Sequence, residues 1–69
     1  MALEPELRRE FEKFIIAKQI THPEVAASQF IADLRYGAAF SYSHGTFADL
    51  IEAARDIIRS ALAERKIQP

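Results

Sequence analysis

The stretch from Thr46 to Ile67 constrains the fold most, because its apolar residues recur at the spacing of one helical face. The residues on that face are Phe47, Leu50, Ile51, Ala54, Ile57, Ile58, Ala61 and Leu62. A helix of this kind has to bury its apolar face, and a chain of 69 residues has few other elements to cover it. The pattern therefore predicts a small helical protein in which most elements share one core.

Length and composition narrow the class of protein further. Hydrophobic residues make up 49% of the chain and charged residues 28%, which is typical of a folded globular domain. We expect a single domain over residues 1–69, because two domains of this total length would each lack a core. The chain has no cysteine, so disulfides and thiolate metal sites are excluded.

Charge and hydropathy make nucleic acid and membranes poor general partners. The net charge is −1, which provides no overall attraction to nucleic acid or to an anionic membrane surface. No apolar run approaches the roughly 20 residues of a membrane span. The start of the chain carries Glu4 and Glu6 where a signal peptide needs basic residues. These features predict a cytoplasmic protein that does not span a membrane.

Two further helices are predicted before the stretch from Thr46 to Ile67. Pro5 suits the first turn of a helix predicted over residues 5–20. Its core face comprises Leu7, Phe11, Phe14 and Ile15. Thr21 and Glu24 have capping-box spacing, which predicts a second helix over 23–36 that begins near Pro23. The core face of this helix comprises Ala26, Ala27, Phe30, Ile31 and Leu34.

The ends of the second and third helices are less sharply defined. Gly37 can end the second helix, or the helix can continue towards Phe40, and residues 38–45 fit a loop, a helix extension or a short strand. Thr46 is a suitable N-cap for the third helix, predicted over 46–66. We expect Ile67 to Pro69 to fray. The fold class is thus all-α with three helices.

A second apolar side on the first two helices indicates an interaction surface. Ile16 and Ile20 point away from Leu7 and Phe11 at helical spacing, and Val25 and Tyr36 point away from the core face of the second helix. Closed symmetric dimers are a common way for small chains to enlarge a core, so we expect homo-oligomerisation to complete this one. Two alternatives remain open: the third helix covers this apolar side, or a different protein binds it.

Three aromatic residues add to the candidate surface. Tyr36, Phe40 and Tyr42 lie close together in sequence, and clustered aromatic residues are enriched at protein interfaces. The alternative is that Phe40 closes the end of the core and a tyrosine rests on it. The predicted contact residues are Ile16, Ile20, Val25, Tyr36, Phe40 and Tyr42.

The charges of the third helix suggest an alternative function. Arg55 and Arg59 share one flank of its apolar face, as in a helix-turn-helix-like DNA-binding regulator. Glu52 and Asp56 precede them at i, i+3 spacing, and we expect these pairs to neutralise the flank. The long connection to the second helix also differs from the short turn of that motif.

No residue set predicts a reaction or a bound cofactor. Ser41, Ser43 and His44 lack the sequence context of a nucleophile elbow or a phosphate loop. His22 and His44 have no second ligand at helical spacing, so no metal site is predicted. The sequence therefore predicts a non-enzymatic interaction module, of accessory, adaptor or inhibitor-like type, whose partners are a second copy of itself and another protein.

Overall fold

The structure is a computed structural model, and it describes residues 5–33 and 47–69. In these two ranges the chain forms three α-helices and no strand, so the predicted all-α class is confirmed. We name the helices α1 (Pro5–Lys18), α2 (Pro23–Ala32) and α3 (Phe47–Ala63). None of them combines the length and apolarity that a membrane-spanning helix needs.

Helix α1 begins at the predicted proline and ends two residues earlier than predicted. Glu6 in the first turn and Lys18 in the last turn both complement the helix dipole. Gln19 then adopts a left-handed backbone conformation with φ 55°. Its N–H donates to the Ile16 carbonyl at 3.2 Å, and the Ile20 N–H donates to the Ile15 carbonyl at 3.1 Å. This pair of bonds is a Schellman motif, which ends the helix and reverses the chain.

Helix α2 is shorter than predicted and is capped by a different residue. Its N-cap is His22 rather than Thr21, and the His22 side chain makes no capping hydrogen bond. Pro23 fills the first turn, as predicted, where its missing N–H costs no helical bond. Asp33 has an extended backbone with ψ 123°, so the helix ends at Ala32 and not at Tyr36. Gly37 and residues 38–45, for which the sequence left alternatives open, lie outside the described residues.

Helix α3 ends in a Schellman motif, as α1 does. Arg65 is left-handed with φ 60°, and the Lys66 N–H donates to the Ala61 carbonyl at 2.7 Å. The helix therefore stops at Ala63, three residues before the predicted end, while the proposed cap Thr46 lies outside the described residues. Ile67 does not fray: its side chain is only 2% exposed.

One core of fifteen residues joins the three helices and the C-terminal segment in the described part of the chain. Phe30 of α2 lies at its centre, with its ring 4.5 Å from that of Phe11 and 5.5 Å from that of Phe14. Helix α3 packs against both other helices and supplies six of the buried residues. These are Leu50, Ala53, Ala54, Ile57, Ile58 and Ala61.

Candidate interaction surface

The predicted second face of α1 is largely covered, and the prediction that Ile20 lies on it is wrong. Ile20 is 8% exposed and belongs to the core. The prediction extended the helical spacing to residue 20, whereas the Schellman turn at Gln19 breaks that spacing. Apolar contact between the residue after such a turn and the last helical turn is typical of the motif. Ile20 therefore faces inward, beside buried Ile15.

Ile16 is covered in part. It is partly buried and packs against the core cluster, which also includes Ile67. The chain after α3 runs past this side of α1, because the side chain of Gln19 bonds to the main chain of residues 66 and 68. The partial cover of Ile16 is thus provided by the core of the chain itself.

Charged side chains interact within the segment that follows α3. The Lys66 ammonium lies 3.0 Å from a Glu64 carboxylate oxygen. Hydrogen bonding and attraction from Glu64, with a smaller contribution from Glu12 of α1, raise the pKa of Lys66 above 10.5. Both side chains of the pair are about half exposed, so the contact is screened by solvent and contributes little to stability.

The outward side of α2 exposes two large apolar residues and few charges. Val25 is 42% exposed, as predicted, and Ile31 is 40% exposed although the sequence placed it on the core face. The exposed residues of α2 are Glu24, Val25, Ser28, Gln29, Ile31 and Ala32, and we call them the α2 face. Glu24 is the only charged residue of the ten in this helix. Helices exposed to solvent normally carry many more charges on their outer side.

A second surface lies along one edge of α3. Phe47 is 42% exposed and Leu62 37% exposed, and Ile51 packs against the core as a partly buried residue. The sequence placed all three on the core face. Phe47 and Leu62 lie in the first and last turns of α3. Only the packing could reveal their exposure.

Arg55 and Arg59 lie beside that apolar edge and are exposed. The expected i, i+3 pairs with Glu52 and Asp56 do not form: no carboxylate of the described residues lies within ion-pair distance of either guanidinium. We call Phe47, Ile51, Arg55, Arg59 and Leu62 together the α3 edge.

A surface cleft adjoins the α3 edge. It has a volume of about 630 Å³ and is lined by Leu62, Arg65, Ile67, Gln68 and Pro69. Leu62 belongs to both features, so the apolar edge of α3 continues into a concave region. Tyr36, Phe40 and Tyr42 lie outside the described residues, and their contacts remain predictions.

The described residues hold no buried polar or charged side chain and no group of three or more residues that could hold a metal ion. Comparison of the chain with protein-family models, with curated proteins and with solved structures finds no match.

Proposed function

We propose that this protein is a small non-enzymatic interaction module of the cytoplasm, which acts as a homodimer and uses its remaining surface to bind another protein. The observation that carries the proposal is the α2 face, where Val25 and Ile31 are each at least 40% exposed on a helix with a single charged residue. A helix surface of this composition is stabilised when it leaves water.

A second copy of the chain is the occupant that suits the α2 face. In a two-fold symmetric contact the same surface meets itself, so every charge on it meets a like charge. The α2 face has only Glu24, at its N-terminal end, and an antiparallel pair of α2 helices holds the two Glu24 side chains at opposite ends. Self-association of this face thus involves little charge repulsion.

Light scattering over a concentration series tests the dimer. We expect the parent protein to show twice the chain mass of 7.8 kDa. Val25→Glu with Ile31→Glu should return the mass to that of the monomer, because four carboxylates would then face each other in an apolar contact. Circular dichroism should show unchanged helicity, since both side chains are partly exposed.

Ala17→Glu with Ala63→Glu provides the matched control, since it adds the same charge at exposed positions of α1 and α3. This variant should remain dimeric. A parent protein that stays monomeric up to about 100 µM would exclude a dimer of useful affinity. Equal dissociation of both double variants would assign the effect to net charge and not to the α2 face.

A DNA-binding regulator remains the second candidate. Arg55 and Arg59 favour it, because both are exposed and neither pairs with a carboxylate of residues 5–33 or 47–69. Two features oppose it. Residues 33–46 lie between α2 and α3 in the sequence, whereas the motif turn has about three or four residues. Glu52 and Asp56 are also exposed on the same helix and repel phosphate.

A further inference from the structure

We infer that the α3 edge binds an acidic amphipathic segment of another protein. The inference rests on the proposed function as an interaction module and specifies the partner's chemistry. It depends on the combination of exposed apolar side chains with two arginines that have no carboxylate partner in the described part of the chain. The α2 face has no such combination.

The apolar part of the edge is suited to side chains spaced along a helix or an extended peptide. Phe47 and Leu62 are exposed near the two ends of α3, and partly buried Ile51 lies between them. At about 1.5 Å per residue the distance along the helix from Phe47 to Leu62 is about 22 Å. A partner segment of about four helical turns matches that length, and the adjoining cleft beside Leu62 offers a place for an apolar anchor.

The charged part of the edge favours an acidic partner. Arg55 and Arg59 are one helical turn apart and lie between the two exposed apolar ends. Neither guanidinium has a carboxylate partner among the described residues, so each can bond a carboxylate of an incoming segment. Glu52 and Asp56 are exposed on the same helix. At about 100° per residue, however, they lie further round from Phe47 and Ile51 than the arginines do, so the arginines are the charges nearest the apolar side chains. Arginine is suited to this role because its planar fork can hold both oxygens of a carboxylate.

A second copy of this chain does not suit the same edge. Arg55 and Arg59 occupy the middle of α3, so a two-fold contact centred there would bring the arginines of both copies together. The α2 face and the α3 edge are therefore assigned different occupants: the first a second copy, the second an acidic partner.

Peptide titration followed by NMR of the 15N-labelled full chain tests the inference. The test peptide has about 15 residues with Leu and Phe at helical i, i+3, i+4 spacing and Glu elsewhere. A matched peptide carries Lys in place of each Glu. We expect the acidic peptide to shift the amide resonances of the α3 edge and to bind at least about tenfold more tightly than the basic peptide. Raising the salt from about 50 to about 300 mM should weaken its binding.

Arg55→Glu with Arg59→Glu should weaken binding of the acidic peptide by about tenfold or more. Arg9→Glu with Lys13→Glu is the matched control, because it makes the same change of net charge on the exposed side of α1. That control should bind the acidic peptide as the parent does. The Val25→Glu, Ile31→Glu protein should also bind it, so loss of the dimer and loss of the partner site are separately visible.

Three results would overturn the inference. Equal binding of the acidic and basic peptides would show an apolar contact without charge selection. Equal weakening by the two charge-reversal variants would show attraction to overall charge. Salt-sensitive binding of a mixed DNA duplex in which the acidic peptide does not compete would assign Arg55 and Arg59 to nucleic acid.

Discussion

Gln19 and Gln68 are 49 residues apart in the chain, yet the Gln68 N–H donates to the Gln19 side-chain oxygen at 2.9 Å. The amide nitrogen of the same side chain donates to the Lys66 carbonyl at 3.1 Å and to the Ile16 carbonyl at 2.9 Å. One side chain thus bonds to the main chain on both sides of Ile67, which is buried. The turn that ends α1 holds the segment that follows α3.

Replacing Gln19 should loosen that segment. In Gln19→Ala the bonds to residues 66 and 68 are lost, which we expect to cost about 1 kcal/mol of the free energy of unfolding, because these bonds are exposed to water. Urea unfolding measures the cost, and amide hydrogen exchange at Gln68 should accelerate. Ser60→Ala removes an exposed polar side chain of α3 outside the α2 face and should leave both readouts nearly unchanged. Unaltered exchange at Gln68 in Gln19→Ala would contradict the contact.

Arg65 offers a stabilising substitution. Its φ of 60° is costly for a residue with a Cβ and is readily adopted by glycine. We expect Arg65→Gly to raise the free energy of unfolding by about 0.5–1 kcal/mol, after allowing for the greater freedom of glycine in the unfolded chain. Glu64→Gly, one residue earlier, is the control and should destabilise the protein. A loss of stability in Arg65→Gly would mean that the Arg65 side chain matters more than its backbone strain.

Ile67 should behave as a core residue although it follows the last helix. Ile67→Ala leaves a cavity at a position that is 2% exposed, and we expect it to cost about 2–4 kcal/mol. Leu62→Ala is the matched control, since Leu62 is 37% exposed and its loss should cost less than about 1 kcal/mol. Similar costs for the two variants, measured by thermal and urea unfolding, would place Ile67 outside the core.

Phe30 should be the most sensitive side chain of α2. Its ring contacts both phenylalanines of α1, so Phe30→Ala should cost about 3–5 kcal/mol, which is comparable with the whole stability of a domain of this size. Phe30→Leu keeps most of the volume and should cost about 1–2 kcal/mol, which urea unfolding can measure. Leu62→Ala, at a position that is 37% exposed and outside the α2 face, should cost less than about 1 kcal/mol. A neutral Phe30→Leu would argue against the aromatic cluster.

Lys66 should titrate above its ordinary pKa of 10.5, chiefly because Glu64 bonds to its ammonium. Because the folded-state pKa is raised, the contact contributes fully below the unfolded value of 10.5 and is lost as the pH rises through the folded value. NMR titration of the Lys66 side chain should show a lower pKa in Glu64→Gln than in the parent. Glu12→Gln should lower it by less, since the attraction from Glu12 is the weaker contribution. Identical titration in all three proteins would contradict the pair.

The sequence by itself determined the three helices and most of their core faces. Apolar spacing placed Phe11, Ile15 and Phe30 inside, and each is fully buried. Pro5 and Pro23 marked two helix starts, because proline loses no helical bond in the first turn. These features depend on local backbone geometry, which neighbouring residues in the sequence determine. The self-association and partner predictions remain to be measured.

Tertiary structure decided where the helices end and what covers them. Gln19 and Arg65 take left-handed conformations that favour glycine, so no turn signal in the sequence marked them. Each reversal shifts the residues after it out of helical register, and Ile20 and Ile67 become core residues as a result. Packing likewise left Ile31, Phe47 and Leu62 exposed. The area that one helix covers on another depends on how the two helices are placed, and apolar spacing along a single helix does not determine that placement.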